Sequence, residues 1–184
     1  MAAPLLNRPG IVRGGVMILV LEKKLGVLSE ALHRLSRVVL GIVVIIMLSA
    51  ILLQVFCRYV LNSPLRWPEE LTTFLMAWMS FVGAAVALKE WQHIGVDVFI
   101  NLFRGKVKIA MLFIVRVLVL VFVIFLLKQG VALAITSIPL LSDGMRISMF
   151  WPRLSVPVGS ALMLIHTIHL ILQDIVNFAT GEVA

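Results

Sequence analysis

The chain has 184 residues, 61% of them hydrophobic, with a mean hydropathy of +1.11 and a net charge of +7. This composition excludes an ordinary water-soluble domain and makes the lipid bilayer the solvent for most of the chain. The positive charge does not indicate nucleic-acid binding, because the basic residues flank apolar stretches and form no separate polar domain. Membrane phospholipids with anionic headgroups are the expected counter-charge.

Four long stretches almost without charged residues predict the fold class. A helix needs about 20 apolar residues to cross a hydrocarbon core about 30 Å thick. Strands of a membrane barrel would instead show alternation over about ten residues, which is not seen in these stretches. We therefore predict an all-α integral membrane protein with a four-helix membrane domain over residues 37–174. The predicted spans are residues 38–57, 71–88, 109–127 and 154–173.

The segment before the first span is interpreted as a leader over residues 1–16 followed by an interfacial amphipathic helix over residues 17–36. Its leucines recur at helical spacing, with charged residues between them. Such a pattern is typical of a helix that lies on the membrane surface. The alternative is a disordered leader up to about Met17, followed by an ordinary helical extension of the first span.

A second interfacial helix is predicted between spans two and three. Asp97, Asn101 and Arg104 share one helical face, opposite an apolar face. His93 lies four residues before Asp97, so the carboxylate could hold the imidazole. We expect this pair to have a structural or headgroup-contacting role.

The distribution of Lys and Arg predicts the topology. The segment before span one and the segment between spans two and three together carry ten of them, whereas the opposite side carries five. The positive-inside rule then places both termini in the cytoplasm, with residues 175–184 as a cytoplasmic tail.

Several short motifs resemble one family of transporter subunits. Arg58-Tyr59 closes span one, Trp67-Pro68-Glu69-Glu70 opens span two, and Phe81-x-Gly-Ala-Ala lies within it. They are followed by His93-Ile-x-Val-Asp and, at span four, by Val156-Pro157-Val158-Gly159-Ser160-Ala161-Leu162. This combination resembles the small membrane subunit, the Q subunit, of a tripartite ATP-independent periplasmic (TRAP) transporter.

The resemblance implies a division of labour in the bacterial inner membrane. A periplasmic solute-binding subunit (P) captures a carboxylate-containing solute, and a large permease subunit (M) carries the substrate and sodium sites. The small subunit packs against the large one. The predicted spans agree with a scaffold role, because they contain no acidic residue and no Gly/Pro-broken helix that could form a midplane ion site.

No catalytic residue, metal site or cofactor is predicted, and the chain is not expected to be an enzyme. Two other classes remain as alternatives. A stand-alone small exporter would need an acidic residue in the membrane for proton coupling. A membrane haem protein would need facing histidines from two spans, whereas His166 and His169 both lie on span four.

Span two carries the candidate subunit interface. A stripe of small residues, Thr73, Ala77, Ser80, Ala84 and Ala87, follows one helical face with Gly83 beside it. Small residues allow the close approach that joins helices in lipid. The stripe could serve packing within the chain or against the large subunit, and Trp67 is expected to anchor the helix at the interface.

The remaining candidates are polar. Glu69 and Glu70 favour the helix N-terminus, and we expect one of them to pair within the chain, with Arg58 or Arg66 nearby, and the other to face a neighbouring subunit. Arg116 lies inside span three, where an unpaired charge is costly. It is expected either to extend toward the cytoplasmic headgroups or to be held by His166, by Ser49 or Gln54 of span one, or by the permease.

Overall fold

The structure is a computed structural model that describes residues 12–90 and 106–180, with side chains for residues 22–90 and 114–176. Within these two ranges the residues form helices, short connections and one small hairpin. The helices are α1 (Val12–Tyr59), α2 (Trp67–Glu90), α3 (Lys106–Thr136), α4 (Phe150–Arg153) and α5 (Ser155–Thr180).

Within the residues that the structure describes, four segments are long and apolar enough to cross a membrane, as predicted. They are Glu22–Tyr59, Trp67–Glu90, Ile114–Thr136 and Phe150–Val176. Local sequence explains where the helices end, because Pro64 and Pro139 follow α1 and α3, and Pro68 occupies the first turn of α2. The predicted all-α class with four membrane helices is confirmed.

The first helix differs from the prediction of two separate segments. α1 runs without a break from Val12 to Tyr59, over 48 residues, because no proline interrupts it. Within residues 22–37, Ser29, His33 and Ser36 are buried, while the charged residues Lys24, Glu30, Arg34 and Arg37 are exposed. The placement of this segment on the membrane surface stays a prediction. The start of the predicted tail is likewise helical, because α5 continues to Thr180.

The long helices form a helix row in the order α1, α2, α5, α3, in which α1 also contacts α5 directly. α5 is the central helix, and 44% of its most apolar stretch is buried, against 11–17% in the others. Gly159 allows α5 to approach α2, since an added Cβ would lie 2.6 Å from the Phe81 Cβ. Gly130 likewise allows α3 to approach α5, since an added Cβ would lie 2.7 Å from Val156 Cγ1.

The buried core is small and lies between α2, α3 and α5. Ala85, Val123 and Met163 form it, and Phe81 and Leu162 pack against it. Most other large apolar side chains of the described residues are exposed, including many along α1 between Val27 and Phe56. An apolar surface of this extent is stable only in lipid or against another membrane protein.

A short hairpin over residues 137–149 connects α3 to α4. Leu141 and Ser148 form an antiparallel bridge, and the Met149 amide donates to the Leu140 carbonyl at 2.8 Å. Arg146 at its tip has a positive φ of 57°. We call the end of the helix row that carries this hairpin the outer end, and the end that carries Lys89 the inner end.

Candidate functional site: a subunit interface and its polar supports

The small-residue stripe on α2 faces away from the rest of the chain. Thr73, Ser80, Ala84 and Ala87 are exposed, and Ala77 is half-buried. The opposite face of α2 makes the contacts within the chain, through residues such as Phe74, Val82, Ala85 and Val86. The stripe therefore contributes little to packing within the chain, and it can contact another helix or lipid.

Gly83 and Trp67 lie at the margins of this surface. A Cβ added to Gly83 would meet no atom within 4 Å, so this glycine is not required for a contact within the chain. Trp67 begins α2 and exposes 38% of its surface at the outer end. Its position at the helix end agrees with an interfacial anchor.

Glu70 supports the outer hairpin. Its Oε2 accepts hydrogen bonds from the backbone amides of Gly144, at 3.0 Å, and Met145, at 2.6 Å. The sequence had pointed to Arg58 or Arg66 as nearby partners, but this carboxylate instead binds backbone donors about 75 residues away in sequence. Two amide donors to one ionised oxygen fix the hairpin against the start of α2.

Glu69 is the exposed member of the pair. Its Oε2 lies 3.5 Å from Nε2 of Gln54 on α1, a long hydrogen bond at the surface. The Arg58 guanidinium lies 5.8 Å from the centre of the neighbouring Tyr59 ring. Glu70 thus pairs within the chain, and the expectation that the other glutamate faces a neighbouring subunit stays a prediction.

A buried polar cluster joins the first half of α1 to the inner end of the row. The Ser29 hydroxyl is 2.8 Å from Nδ1 of His166, a residue that is only 1% exposed. The His33 ring meets the His166 ring edge-on, with centroids 6.4 Å apart. His166 therefore binds α1 and is not the partner of Arg116, for which it was one of several candidates.

Two ion pairs surround this cluster at the end of α2. Lys89 Nζ donates to Glu30 Oε2 at 2.6 Å. Glu90 Oε1 lies 3.4 Å from His33 Nε2 and 3.9 Å from Arg37 Nε. Sequence reasoning missed these contacts, although the spacing of Ser29, His33 and Ser36 along one face of α1 was a signal for them.

Arg116 is paired, but with a partner that the sequence did not suggest. Its Nη1 donates to the Leu170 carbonyl at 2.6 Å and forms an ion pair with Asp174 on α5. The two side chains are 19% and 31% exposed. Ser49 and Gln54 are engaged elsewhere, because Ser49 donates to the Ile45 carbonyl of its own helix and Gln54 donates to Glu69.

Some predictions fall outside the part of the chain that the structure describes. His93, Asp97 and the second interfacial helix lie there and stay predictions. Within residues 12–90 and 106–180, no group of three or more His, Cys, Asp or Glu side chains could hold a metal ion.

Comparison with known proteins decides the family. The family described as tripartite ATP-independent periplasmic transporters, DctQ component, matches residues 47–177, which is most of the chain. The chain belongs to this family. The resemblance carried by the α2 motifs is thereby confirmed, and the protein is a multi-pass membrane subunit of a TRAP transporter.

Individual relatives agree with this assignment. The TRAP subunit is 25% identical over 140 residues to a sialic acid TRAP transporter small permease protein of Vibrio cholerae, covering 76% of the chain and 81% of the relative. It is 42% identical over 55 residues to a C4-dicarboxylate TRAP transporter small permease protein of the same species, covering 30% of the chain and 24% of the relative.

A third relative is much longer. The TRAP subunit is 28% identical over 152 residues to the sialic acid TRAP transporter permease protein SiaT of Haemophilus influenzae. That match covers 82% of the chain but only 24% of the relative, so the chain corresponds to about a quarter of that protein's length. All three relatives are permease proteins of transporters, a class of proteins that are not enzymes.

Proposed function

We propose that this chain is a scaffold subunit of a TRAP transporter that packs against a large permease subunit and stabilises it during solute uptake. The observation that carries the proposal is the outward orientation of the small-residue stripe on α2. Helices associate in lipid through close packing of small residues. A stripe that the chain's own helices leave free therefore suits the surface of a second membrane subunit.

The match to the longer permease protein supports the same arrangement. In that relative a segment similar to this chain is part of one polypeptide with the rest of a permease. Segments that are covalently joined in one protein are held close together. We therefore propose that the separate chain takes the corresponding place beside a large permease subunit.

The solute is proposed to carry a carboxylate. Two relatives are named for sialic acid and one for C4-dicarboxylates, and all of these solutes are carboxylate anions. In this proposal a periplasmic binding protein delivers the solute, and the sodium and solute sites lie in the large subunit. The exporter and haem-protein alternatives gain no support from these relatives.

The proposed orientation in the inner membrane has both termini in the cytoplasm, from the excess of Lys and Arg on that side. The outer hairpin held by Glu70 then faces the periplasm, and the polar cluster of His166 faces the cytoplasm. Exposed Glu69 and Trp67 lie where they could contact the large subunit or the binding protein.

Reconstitution tests the proposal. Liposomes that contain the large permease subunit and this chain, supplied with binding protein and an inward sodium gradient, should take up radiolabelled sialic acid or a C4-dicarboxylate. Omission of this chain should reduce uptake to near background, and this chain alone should give none. Full uptake without this chain would overturn the scaffold role, and uptake by this chain alone would favour the exporter.

A further inference from the structure

Lys128 of α3 lies inside the membrane-spanning part of its helix. The third predicted span ended at residue 127, so this lysine was expected to border it. In the structure α3 continues as a helix to Thr136, and the segment that is long and apolar enough to cross a membrane is Ile114–Thr136. Lys128 lies about eight residues, or about 12 Å, from the outer end of this segment.

Contacts with the neighbouring helices give a similar depth. Gly130 of α3 lies against Val156 of α5. Gly159 of α5 lies in turn against Phe81 of α2. Because α3 runs antiparallel to α5, Lys128 is level with the residue of α2 that precedes Phe81. This level is about midway between the charged residues that begin and end α2, about 15 Å from each.

The two charged residues of this segment differ in their surroundings. Arg116 lies about 18 Å farther toward the inner end and is paired with Asp174 there. Lys128 is exposed, and it forms no hydrogen bond or ion pair with another residue that the structure describes. Its four-carbon stem spans only about half of the distance to the outer end of the segment. Charged side chains at such depth usually face other helices and pair with polar groups.

Lys128 belongs to a regular row of exposed residues on α3, which we call the α3 seam. The seam consists of Val117, Val121, Ile124, Lys128, Val131 and Ile135, spaced alternately by four and three residues. All six are exposed, whereas Val123, Gly130 and Ala134 on another side of the helix are buried. Spacing of this kind is typical of helices that pack side by side at a crossing angle of about 20°.

The side chains of the seam suit a specific contact. Its five apolar members are β-branched, so they have few rotamers to lose when they pack against a partner. A single polar residue within such a seam fixes the register of the two helices and selects the partner that can pair with it.

We propose that the α3 seam binds a membrane helix of the large permease subunit that carries a carboxylate at the level of Lys128. The inference rests on the proposed function, which takes the large subunit as the membrane partner, and it adds a second contact surface to the stripe on α2. The carboxylate supplies the acceptor that the described residues do not provide. In a contact without water, this charge pair fixes the depth at which the partner helix packs.

Other occupants fit the seam less well. Lipid chains offer no hydrogen-bond acceptor at the level of Lys128. A second copy of this chain, inserted in the same direction and related by a two-fold axis, would bring two lysines together at one depth. Like charges at a contact in lipid repel each other, so the seam disfavours such a dimer.

Titration of the full-length chain with the large permease subunit in detergent tests the seam. Lys128→Leu should weaken binding by about tenfold or more, because the carboxylate of the large subunit loses its cation. Lys128→Arg keeps the charge and should retain more binding than Lys128→Leu. Gln129→Leu is the matched control, since Gln129 is exposed at the same depth but lies outside the seam, and it should bind as the parent does. The isolated Lys128→Leu chain should melt at or above the parent temperature.

Photo-crosslinking locates the contact. Ile124 and Phe122 are both exposed, but only Ile124 lies in the seam. A photoreactive phenylalanine analogue at position 124 should crosslink to the large subunit, and the same group at position 122 should not. Parent-like binding by Lys128→Leu, or crosslinks from position 122 alone, would overturn the seam and leave the scaffold role intact. A chain that binds no large subunit in any form would overturn the proposed function and the seam together.

Discussion

Arg116 on α3 and Asp174 on α5 form an ion pair at the inner end of the helix row, and the same guanidinium donates to the Leu170 carbonyl. Both side chains are mostly buried, so neither charge is fully solvated. The pair ties the first half of α3 to the C-terminal part of the central helix.

We predict that Arg116→Leu lowers the stability of the purified chain by about 1–3 kcal/mol, because the Asp174 carboxylate and the Leu170 carbonyl lose a donor. Arg116→Lys should restore only part of this loss, since an ammonium group cannot reproduce the planar fork that binds both acceptors. Thermal melting in detergent measures both effects.

The double variant Arg116→Leu with Asp174→Leu is the matched control. It removes both charges together, so it should be less destabilised than the sum of the two single changes. An Arg116→Leu protein that melts at or above the parent temperature would contradict a stabilising role for the pair.

Ala84 and Ala85 are adjacent on α2 but lie on different surfaces, Ala84 on the candidate subunit interface and Ala85 in the core. We predict that Ala84→Leu leaves the melting of the isolated chain unchanged, because Ala84 is exposed, but abolishes co-purification with the large permease subunit. Ala85→Leu should instead destabilise the isolated chain by about 1–3 kcal/mol through overpacking, because Ala85 is 0% exposed beside Val123 and Met163.

Retention of the complex by the Ala84→Leu chain at normal yield would show that the stripe contacts lipid and no subunit. The Ala85→Leu chain confirms that the melting assay detects a change in the core, so the comparison does not depend on one variant alone.

Glu70→Ala is expected to loosen the outer hairpin. The Gly144 and Met145 amides lose an ionised acceptor, at a cost of about 1.5–3 kcal/mol for hydrogen bonds of this kind. Hydrogen exchange at these two amides should become faster, and the hairpin should become more sensitive to protease.

Glu69→Ala provides the matched control for Glu70. It removes an exposed carboxylate whose contact with Gln54 is long, so the exchange of the hairpin amides should remain as in the parent. Equal exchange rates in both variants would show that Glu70 does not hold the hairpin.

Ser29→Ala tests the attachment of the first half of α1. The change leaves Nδ1 of the buried His166 without its partner, and an unsatisfied buried polar group costs about 1–3 kcal/mol. Ser49→Ala on the same helix should have little effect, because the Ser49 hydroxyl is exposed and donates to its own helix. Identical melting temperatures for the two variants would contradict a role for Ser29 in holding α1.

The amino-acid sequence by itself determined the membrane class, the four spans and the family. These follow from charge-free stretches of bilayer length and from short motifs such as Trp67-Pro68-Glu69-Glu70, which are local properties of the chain. That Glu69 and Glu70 differ in exposure also follows from the sequence, because adjacent residues on a helix point to different sides.

Only the tertiary structure decided which faces meet and which charges pair. In a soluble protein the apolar face of a helix points inward, but in lipid both faces can be apolar, so periodicity does not identify the packed side. The first half of α1 therefore buries Ser29 and His33 and exposes Leu28 and Leu35. Arg116 pairs with Asp174 because α5 continues as a helix past the predicted span. The two residues are far apart in the sequence, and no local pattern indicates that they pair.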